Sequence, residues 1–204
     1  MSKAKYSIII GVLSLTLVLS GLVGIADSNP ETIKIGAIYP LSGSIADTGA
    51  RCKAAIQAAV DVINNPHPEL NLPSAESEGI SSMGGAKLKV IYGDHQAKPD
   101  VGKSEAERLI TRENVKALLG CYNSAVTKPA SFVAERYGIP FISGCSSSAA
   151  LTERGLEHFF RLAVTDKMDS KGFLDALDEL REEKGAEIES IGLLYENTEF
   201  GQHA

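Results

Sequence analysis

Apolar positions along this chain form two kinds of segment that alternate with each other. Short apolar runs bounded by Gly, Pro, Ser or Asn are typical of buried strands. They lie at residues 33–39, 87–92, 116–119, 139–142, 159–164 and 191–195. Longer segments with apolar residues at helical spacing follow most of them, at about 50–64, 100–112, 124–137 and 165–184. Because strands that alternate with helices form parallel sheets, the pattern predicts an α/β fold, a parallel sheet with helices on both faces.

Clusters of small polar residues follow two strands that are consecutive in the sequence. Asn123 and Ser124 come shortly after the strand 116–119, and residues 143–148 come directly after the strand 139–142. In an open parallel sheet, ligands bind beyond the carboxyl ends of the strands, where helix N-termini also offer free N–H groups. The clusters therefore predict a site for a small anion such as a carboxylate.

Other readings of these clusters stay open from the residues alone. A run such as Ser146, Ser147 and Ser148 is also typical of a flexible polar loop. The helix after the first cluster has two candidate N-caps, Ser124 and Thr127. With Ser124 as the N-cap, Pro129 lies past the first turn and removes one backbone hydrogen bond, whereas with Thr127 as the N-cap it does not.

Residues 1–26 have the composition of a secretory signal peptide. Lys3 and Lys5 form a charged start, residues 8–23 are apolar, and small residues at 24–26 suit a cleavage site. The apolar run is short for a membrane span and lacks a basic flank after it, which favours cleavage over a membrane anchor. We therefore expect a periplasmic or otherwise extracytoplasmic protein whose mature part begins near residue 27.

Charge and cysteine content narrow the class of partner. The formal net charge is −6, with 20 basic and 26 acidic residues, which argues against nucleic acid and anionic lipid as partners. The three cysteines and four histidines have no metal-binding spacing, and nothing in the sequence predicts a cofactor. Cys121 and Cys145 both follow strands, so a disulfide between them and two small buried thiols are equally good alternatives.

An enzyme is disfavoured because the usual catalytic motifs are missing. The sequence contains no G-x-S-x-G, no G-x-G-x-x-G and no G-x-x-x-x-G-K-[ST] phosphate loop. A Cys–His nucleophile pair would need a histidine beside Cys121 or Cys145, and none lies near either of them in the sequence. We therefore expect a binding protein without catalytic residues.

Four stretches resemble the Leu/Ile/Val-binding family of periplasmic substrate-binding proteins, which serve ABC importers. They are residues 35–43 (IGAIYPLSG), 120–127 (GCYNSAVT), 138–152 with its serine run, and 194–201 (LYENTEFG). The resemblance implies the type I periplasmic binding fold, in which a ligand binds between two α/β lobes. It assigns residues 27–163 to lobe 1 and residues 164–204 to a truncated start of lobe 2. With no helix after the strand 191–195, we expect the N-terminal part of a longer protein.

The family's ligand contacts transfer to this sequence by position. The resemblance implies that Ser124 binds the main-chain end of the ligand and that residues of the serine run bind its carboxylate. It places Thr48 in the first loop, where an aromatic residue often closes over the ligand, and an aromatic side chain from the lobe-2 loop in the cleft. The implied ligand-binding residues are Ser124, Cys145, Ser146, Ser147, Thr48 and Phe200.

The resemblance also implies a function. We expect a solute-binding protein that delivers a small amino acid or a related carboxylate or amide to the membrane permease of an ABC importer. A branched-chain amino acid is the first expectation for the ligand. A ligand-binding sensor or receptor module of the same fold is the alternative.

Overall fold

A five-stranded parallel sheet forms the centre of the computed structural model, which describes residues 31–202. Its strands are β1 (Thr32–Tyr39), β2 (Lys87–Asp94), β3 (Ala117–Gly120), β4 (Phe141–Ser143) and β5 (Phe159–Arg161). Their order is β2-β1-β3-β4-β5, and every neighbouring pair is parallel. This confirms the predicted α/β class. The predicted signal peptide lies outside the described residues.

Helices cover both faces of this sheet, as the sequence predicts. They are α1 (Ala46–Asn64), α2 (Pro99–Thr111) and α3 (Ser124–Tyr137), and a further helix, α4 (Asp166–Lys184), follows β5. The α2 and α3 helices pack on each other and on the face that carries Ile38 and Leu118, both fully buried. The α1 helix contacts β1 and β2, and its Lys53 ammonium lies 5.0 Å from the ring centre of Tyr92. Because Tyr92 pairs with Ala37, next to Ile38 on the alternating strand, α1 lies on the opposite face.

One core cluster lies between the sheet and the pair α2 and α3. It contains buried residues from β1, both helices, β3, β4 and β5: Ile38, Ala106, Leu109, Ile110, Val115, Leu118, Cys121, Val126, Ala130, Val133, Ala134, Phe141, Leu151 and Phe159. Close approach of the two helices depends on Gly102, because a Cβ atom there would lie 2.2 Å from Val126 Cγ1. This packing fixes the strand that precedes α3, and with it the first polar cluster.

The start of α1 and the N-cap of α3 differ from the sequence prediction. The α1 helix begins at Ala46, four residues before the predicted start, so Thr48 lies in its first turn and not in the loop. Asp47 stands in that turn, where a negative charge is favourable, and pairs with Arg51 at 2.8 Å. The α3 helix begins at Ser124 with Asn123 as its N-cap, so neither predicted cap is correct.

The predicted strand 191–195 is absent from the described structure. A strand needs a neighbour that accepts and donates its backbone hydrogen bonds, and none of the described strands pairs with this segment. Leu193 and Leu194 are 89% and 101% exposed. The apolar side chains of α4 are similarly open, with Phe173 58% exposed. The predicted strand 159–164 is also shorter than expected, ending at Arg161.

None of the helices between residues 31 and 202 is both long enough and apolar enough to span a membrane. The boundary between the two predicted lobes, near residue 164, falls between β5 and α4. The assignment of these two parts to separate lobes stays a prediction.

Candidate functional site

The two polar clusters meet because β3 and β4 are neighbours in the sheet. Leu118 pairs with Phe141 and Leu119 with Ile142, so both strands end at the same edge. The Ser148 backbone N–H donates to Ser124 Oγ at 3.4 Å, which joins the second cluster directly to the first. The structure thus brings together two segments that lie about twenty residues apart in the sequence.

Ser146 links the clusters from inside the fold. Its side chain is only 1% exposed, and its N–H donates to Ser143 Oγ at 3.2 Å. Its hydroxyl proton is shared between two acceptors, the Tyr122 carbonyl at 3.1 Å and Thr127 Oγ1 at 2.7 Å. Both polar groups of Ser146 are therefore engaged within the chain, so this predicted ligand contact has a structural role in the described state.

Thr127 is a residue that the sequence analysis considered only as a helix cap. It is fully buried one turn into α3, where its Oγ1 accepts from the Cys121 N–H and donates to the Asn123 carbonyl, each at 3.1 Å. Together with its contact to Ser146, the hydroxyl fixes the chain between β3 and α3. Its position next to the first cluster was the available signal, but its partners depend on the fold.

Arg161 holds the backbone of the serine run from the adjacent strand β5. Its guanidinium donates to the carbonyls of Ser147 and Ser148, at 3.1 and 2.7 Å, and to Thr152 Oγ1 at 2.7 Å. The Asp166 N–H at the start of α4 also donates to the Ser147 carbonyl, at 3.0 Å. The carbonyl oxygens of this loop are thus occupied by donors, while no group among residues 31–202 bonds the half-buried Ser147 hydroxyl.

The other predicted site residues lie on two different segments. Thr48 is half-buried in the first turn of α1, one turn before Cys52, whose thiol has its pKa raised to about 11, first by burial and then by the charge of Cys145. Phe200 is 43% exposed on the segment after residue 195. The neighbouring Glu199 reaches α3 through an ion pair with Lys128 at 2.8 Å. Phe200 thus lies next in the sequence to a residue that contacts α3.

All three cysteines are free thiols, so the Cys121–Cys145 disulfide left open by the sequence is not formed. Cys121 is fully buried in the core, whereas Cys145 is exposed. Burial raises the pKa of the Cys121 thiol to about 12. Cys121 is therefore a small buried apolar side chain, as in the other alternative.

Asp94 fixes the loop between β1 and α1. Its carboxylate accepts the Leu41 N–H at 2.9 Å, the Ser42 hydroxyl at 2.5 Å and the Gln96 N–H at 3.0 Å. Burial alone would raise the pKa of this carboxyl, but the donated hydrogen bonds hold it below its usual value. The loop that leads to Thr48 is thereby tied to the end of β2.

His95 supports the end of β3 from below the site. The ring is fully buried; Nδ1 accepts the Ala97 N–H at 3.0 Å, so Nε2 carries the proton and donates to the Cys121 carbonyl at 3.2 Å. Burial lowers the pKa of His95, since the charged ring would lose its hydration. The neutral imidazole thus positions the chain immediately before the first polar cluster.

We expect the free energy of unfolding to fall as the pH drops below about 6.5, the usual histidine pKa. The unfolded chain takes up a proton at His95 there, while the folded chain stays neutral, so the unfolded state binds more protons. Urea unfolding at pH 7.5 and pH 5.5 measures the loss, and His95→Gln should reduce it while keeping a donor for the Cys121 carbonyl. An equal loss in both proteins would contradict this assignment.

Replacing Arg161 should loosen the serine run. Arg161→Met removes the donors to two carbonyls, and each such hydrogen bond to a charged group is worth about 1.5–3 kcal/mol. Two bonds at the lower end of this range give about 3 kcal/mol, so thermal unfolding should show a melting temperature lower by about 6–12 °C. Arg136→Met is the control, because that side chain is more than half exposed and pairs only with surface groups of Glu107 and Tyr137. A similar decrease in both variants would refute a special role for Arg161.

A family model described as periplasmic binding protein matches residues 32–204. Among curated proteins, Leu/Ile/Val-binding protein homolog 8 of Brucella abortus is 30% identical over 172 residues, which cover 83% of this chain and 39% of the relative. The chain spans less than half the length of the curated relatives it matches.

Two solved structures are also similar to this chain. The branched-chain amino acid transporter substrate-binding protein LivJ of Streptococcus pneumoniae, in complex with isoleucine, has 27% identity and a TM-score of 0.55. The match covers 67% of this chain and 35% of that one. A solute-binding protein of an ABC transporter from Rhodopseudomonas palustris BisB5, in complex with 3,4-dihydroxy benzoic acid, has 25% identity and a TM-score of 0.53. That match covers 66% of this chain and 32% of the other.

Proposed function

Because the chain belongs to the periplasmic binding protein family, we propose that it is an extracytoplasmic solute-binding protein of an ABC importer. It binds a small amino acid or a related carboxylate, with branched-chain amino acids first, and delivers it to the membrane permease. The observation that supports this most is the junction of the two polar clusters, where the Ser148 N–H meets Ser124 Oγ.

The carboxylate of the ligand would be held by neutral donors at this junction. A carboxylate that leaves water needs several hydrogen bonds to offset its lost hydration. The proposed donors are the hydroxyls of Ser124 and Ser147 and the backbone N–H groups of Cys145 and Ser147. The Ser146 N–H is left out because it already donates to Ser143 Oγ. Each bond to a charged group contributes about 1.5–3 kcal/mol, so three or four support micromolar affinity, about −8 kcal/mol, after the cost of association.

Thr48 and Phe200 would complete the site from outside these clusters. Thr48 lies in the first turn of α1, shortly after the loop that follows β1. Phe200 lies on the segment that contacts α3 through Glu199 and Lys128, so it would approach from the opposite part of the cleft. Closure of the predicted lobe 2, residues 164–204, on lobe 1, residues 27–163, would bring this side chain to the ligand.

Support for export comes from the sequence and from the family. Residues 1–26 have the pattern of a cleaved signal peptide, and proteins of this family act outside the cytoplasm. The serines and backbone groups of the proposed site hold no nucleophile–base pair, which fits binding without catalysis.

A thermal-shift screen tests the proposed ligand class. L-leucine, L-isoleucine and L-valine should raise the melting temperature, because a ligand that binds only the folded state stabilises it by mass action. Benzoate derivatives are the second class, since one similar structure holds such an acid and Thr48 stands where an aromatic residue often closes over the ligand in the family. D-glucose serves as the negative control. A response to glucose with none to any carboxylate would overturn the proposal.

A further inference from the structure

One ion pair joins the segment that carries Phe200 to helix α3. Lys128 Nζ lies 2.8 Å from Glu199 Oε2, although the two residues are 71 positions apart in the sequence. Lys128 stands one turn after Ser124 in α3, and Glu199 directly precedes Phe200. The contact thus connects the helix of the first polar cluster with the aromatic side chain that would complete the ligand site.

Glu199 is largely enclosed in this contact. Its side chain is 13% exposed, and that of Lys128 is 43% exposed. A carboxylate that has lost most of its hydration needs a positive partner, and loss of that partner leaves a charge unpaired at high cost. The contact therefore differs from a surface ion pair such as Lys171–Asp175, whose side chains are 74% and 62% exposed.

Arg154 holds the stretch of α3 from which the Lys128 ammonium extends. Its guanidinium donates to the Lys128 carbonyl at 3.0 Å and to Ser131 Oγ at 2.9 Å. Its Nε donates to the Leu151 carbonyl at 2.9 Å, and its guanidinium carbon lies 4.8 Å from the ring centre of Phe132. The position of the cation on α3 is thus fixed from the loop that follows the serine run.

The segment around Glu199 is a compact turn, so an anchor there also places Phe200. The Thr198 N–H donates to the Glu196 carbonyl at 2.9 Å, and the Gly201 N–H donates to Thr198 Oγ1 at 3.5 Å. A Cβ atom at Gly201 would lie 2.1 Å from the Glu196 carbonyl oxygen, so the chain folds back closely on itself. The ring of Phe200 therefore moves with the carboxylate beside it.

We infer that Lys128 and Glu199 are positioning residues, whose ion pair anchors the turn 196–202 to α3 and sets where the Phe200 ring stands. Neutralising one partner releases the turn, because the remaining enclosed charge is more stable in water. The consequence for ligand binding rests on the proposed function, whereas the anchoring of the turn does not.

A carbodiimide cross-link tests the contact without any ligand. The reagent activates a carboxyl group, a neighbouring amine forms an amide with it, and the reagent leaves as a urea, so the protein loses one water. The peptide map should contain a product that joins Lys128 to Glu199, and Glu199→Gln should remove it. Absence of this product from the unmodified chain, under conditions that cross-link Lys171 to Asp175, would overturn the inference.

A fluorescent reporter at position 200 tests the positioning itself. The sequence contains no Trp, so Phe200→Trp provides a single emitter. Position 200 is 43% exposed, so addition of Lys128→Met should raise the acrylamide quenching constant about twofold as the released ring meets solvent. Lys128→Arg should keep the original value. Lys171→Met is the matched control, because it removes the same charge from an exposed pair within α4. Equal quenching in the Lys128→Met and Lys171→Met proteins would refute the positioning role.

Titration with the amino acid found in the ligand screen measures the effect on binding. Glu199→Gln should weaken binding by about 5- to 10-fold, the worth of one aromatic contact. The reversed pair, Lys128→Glu with Glu199→Lys, should recover most of this loss. Unchanged affinity in Glu199→Gln would overturn the role in binding. A screen that finds no ligand refutes the proposed function alone, since the cross-link and the quenching decide the anchoring without one.

Discussion

Ser124→Ala should weaken binding of the amino acid found in the ligand screen by about 10- to 100-fold. Ser124 stands at the first position of α3, and its hydroxyl accepts the Ser148 N–H, so it serves both polar clusters at once. Its side chain is only 2% exposed, so the variant leaves the buried Ser148 N–H without this acceptor. The substitution thus removes a proposed ligand contact and also the link that positions the serine run.

Isothermal titration with the purified protein measures this loss, at a temperature where circular dichroism shows that the variant is folded. Ser148→Ala is the matched control. The Ser148 hydroxyl is buried with no hydrogen-bond partner in the described structure, and its removal keeps the N–H that bonds to Ser124. We expect little change in affinity for this control. Unchanged affinity in Ser124→Ala would remove Ser124 from the site.

Much of the fold follows from the sequence because the strands of a parallel sheet are buried and apolar. The runs that end at Tyr39 and Gly120 are short, and amphipathic helices follow them, which leaves few alternatives to a parallel α/β sheet. The glycine after α3 and Gly185 after α4 both adopt left-handed geometry as helix caps, in line with glycine's freedom from a Cβ atom.

The strand predicted at 191–195 shows the limit of this reasoning. Apolar periodicity reports only that a segment can be buried in a sheet, whereas strand formation also needs a partner at the right place. None of the described strands pairs with Leu193 or Leu194, so the segment forms no strand and stays exposed. The early start of α1 has a similar cause, since the Asp47–Arg51 pair favours a turn that apolar periodicity does not register.

The sequence predicts the site only as two polar clusters that are separate in the chain. The polar clusters after β3 and β4 indicated an edge of the sheet, and the strand order brings them together there. The roles of Thr127 and Arg161 were not predictable, because each depends on partners from a different segment. Arg161 contacts backbone carbonyl groups, which every residue has, so the pattern of side chains does not predict these contacts. Thr127 contacts Ser146, which lies in the other polar cluster.

Gly120 has the backbone geometry on which the first cluster depends. It is the last residue of β3 and has φ +146°, a conformation that side chains with a Cβ rarely adopt. A Cβ atom at this position would lie 2.4 Å from the Ile38 carbonyl oxygen of the paired strand β1. Neither group can move freely, because Ile38 is in the core and pairs with Gly120 in the sheet.

Gly120→Ala should therefore destabilise the protein by about 3–5 kcal/mol, since backbone strain and overpacking each cost about 1–3 kcal/mol. Urea unfolding measures this change, with an expected decrease in melting temperature of about 10 °C in a parallel thermal experiment. Gly144→Ala is the control directly after β4, where a Cβ atom would meet no heavy atom within 4 Å. Because that substitution mainly restricts the unfolded chain, it should be neutral or stabilise by up to about 1 kcal/mol. Equal stability of the two variants would mean that the end of β3 tolerates a side chain. The close approach to Ile38 would then not fix the position of the first polar cluster.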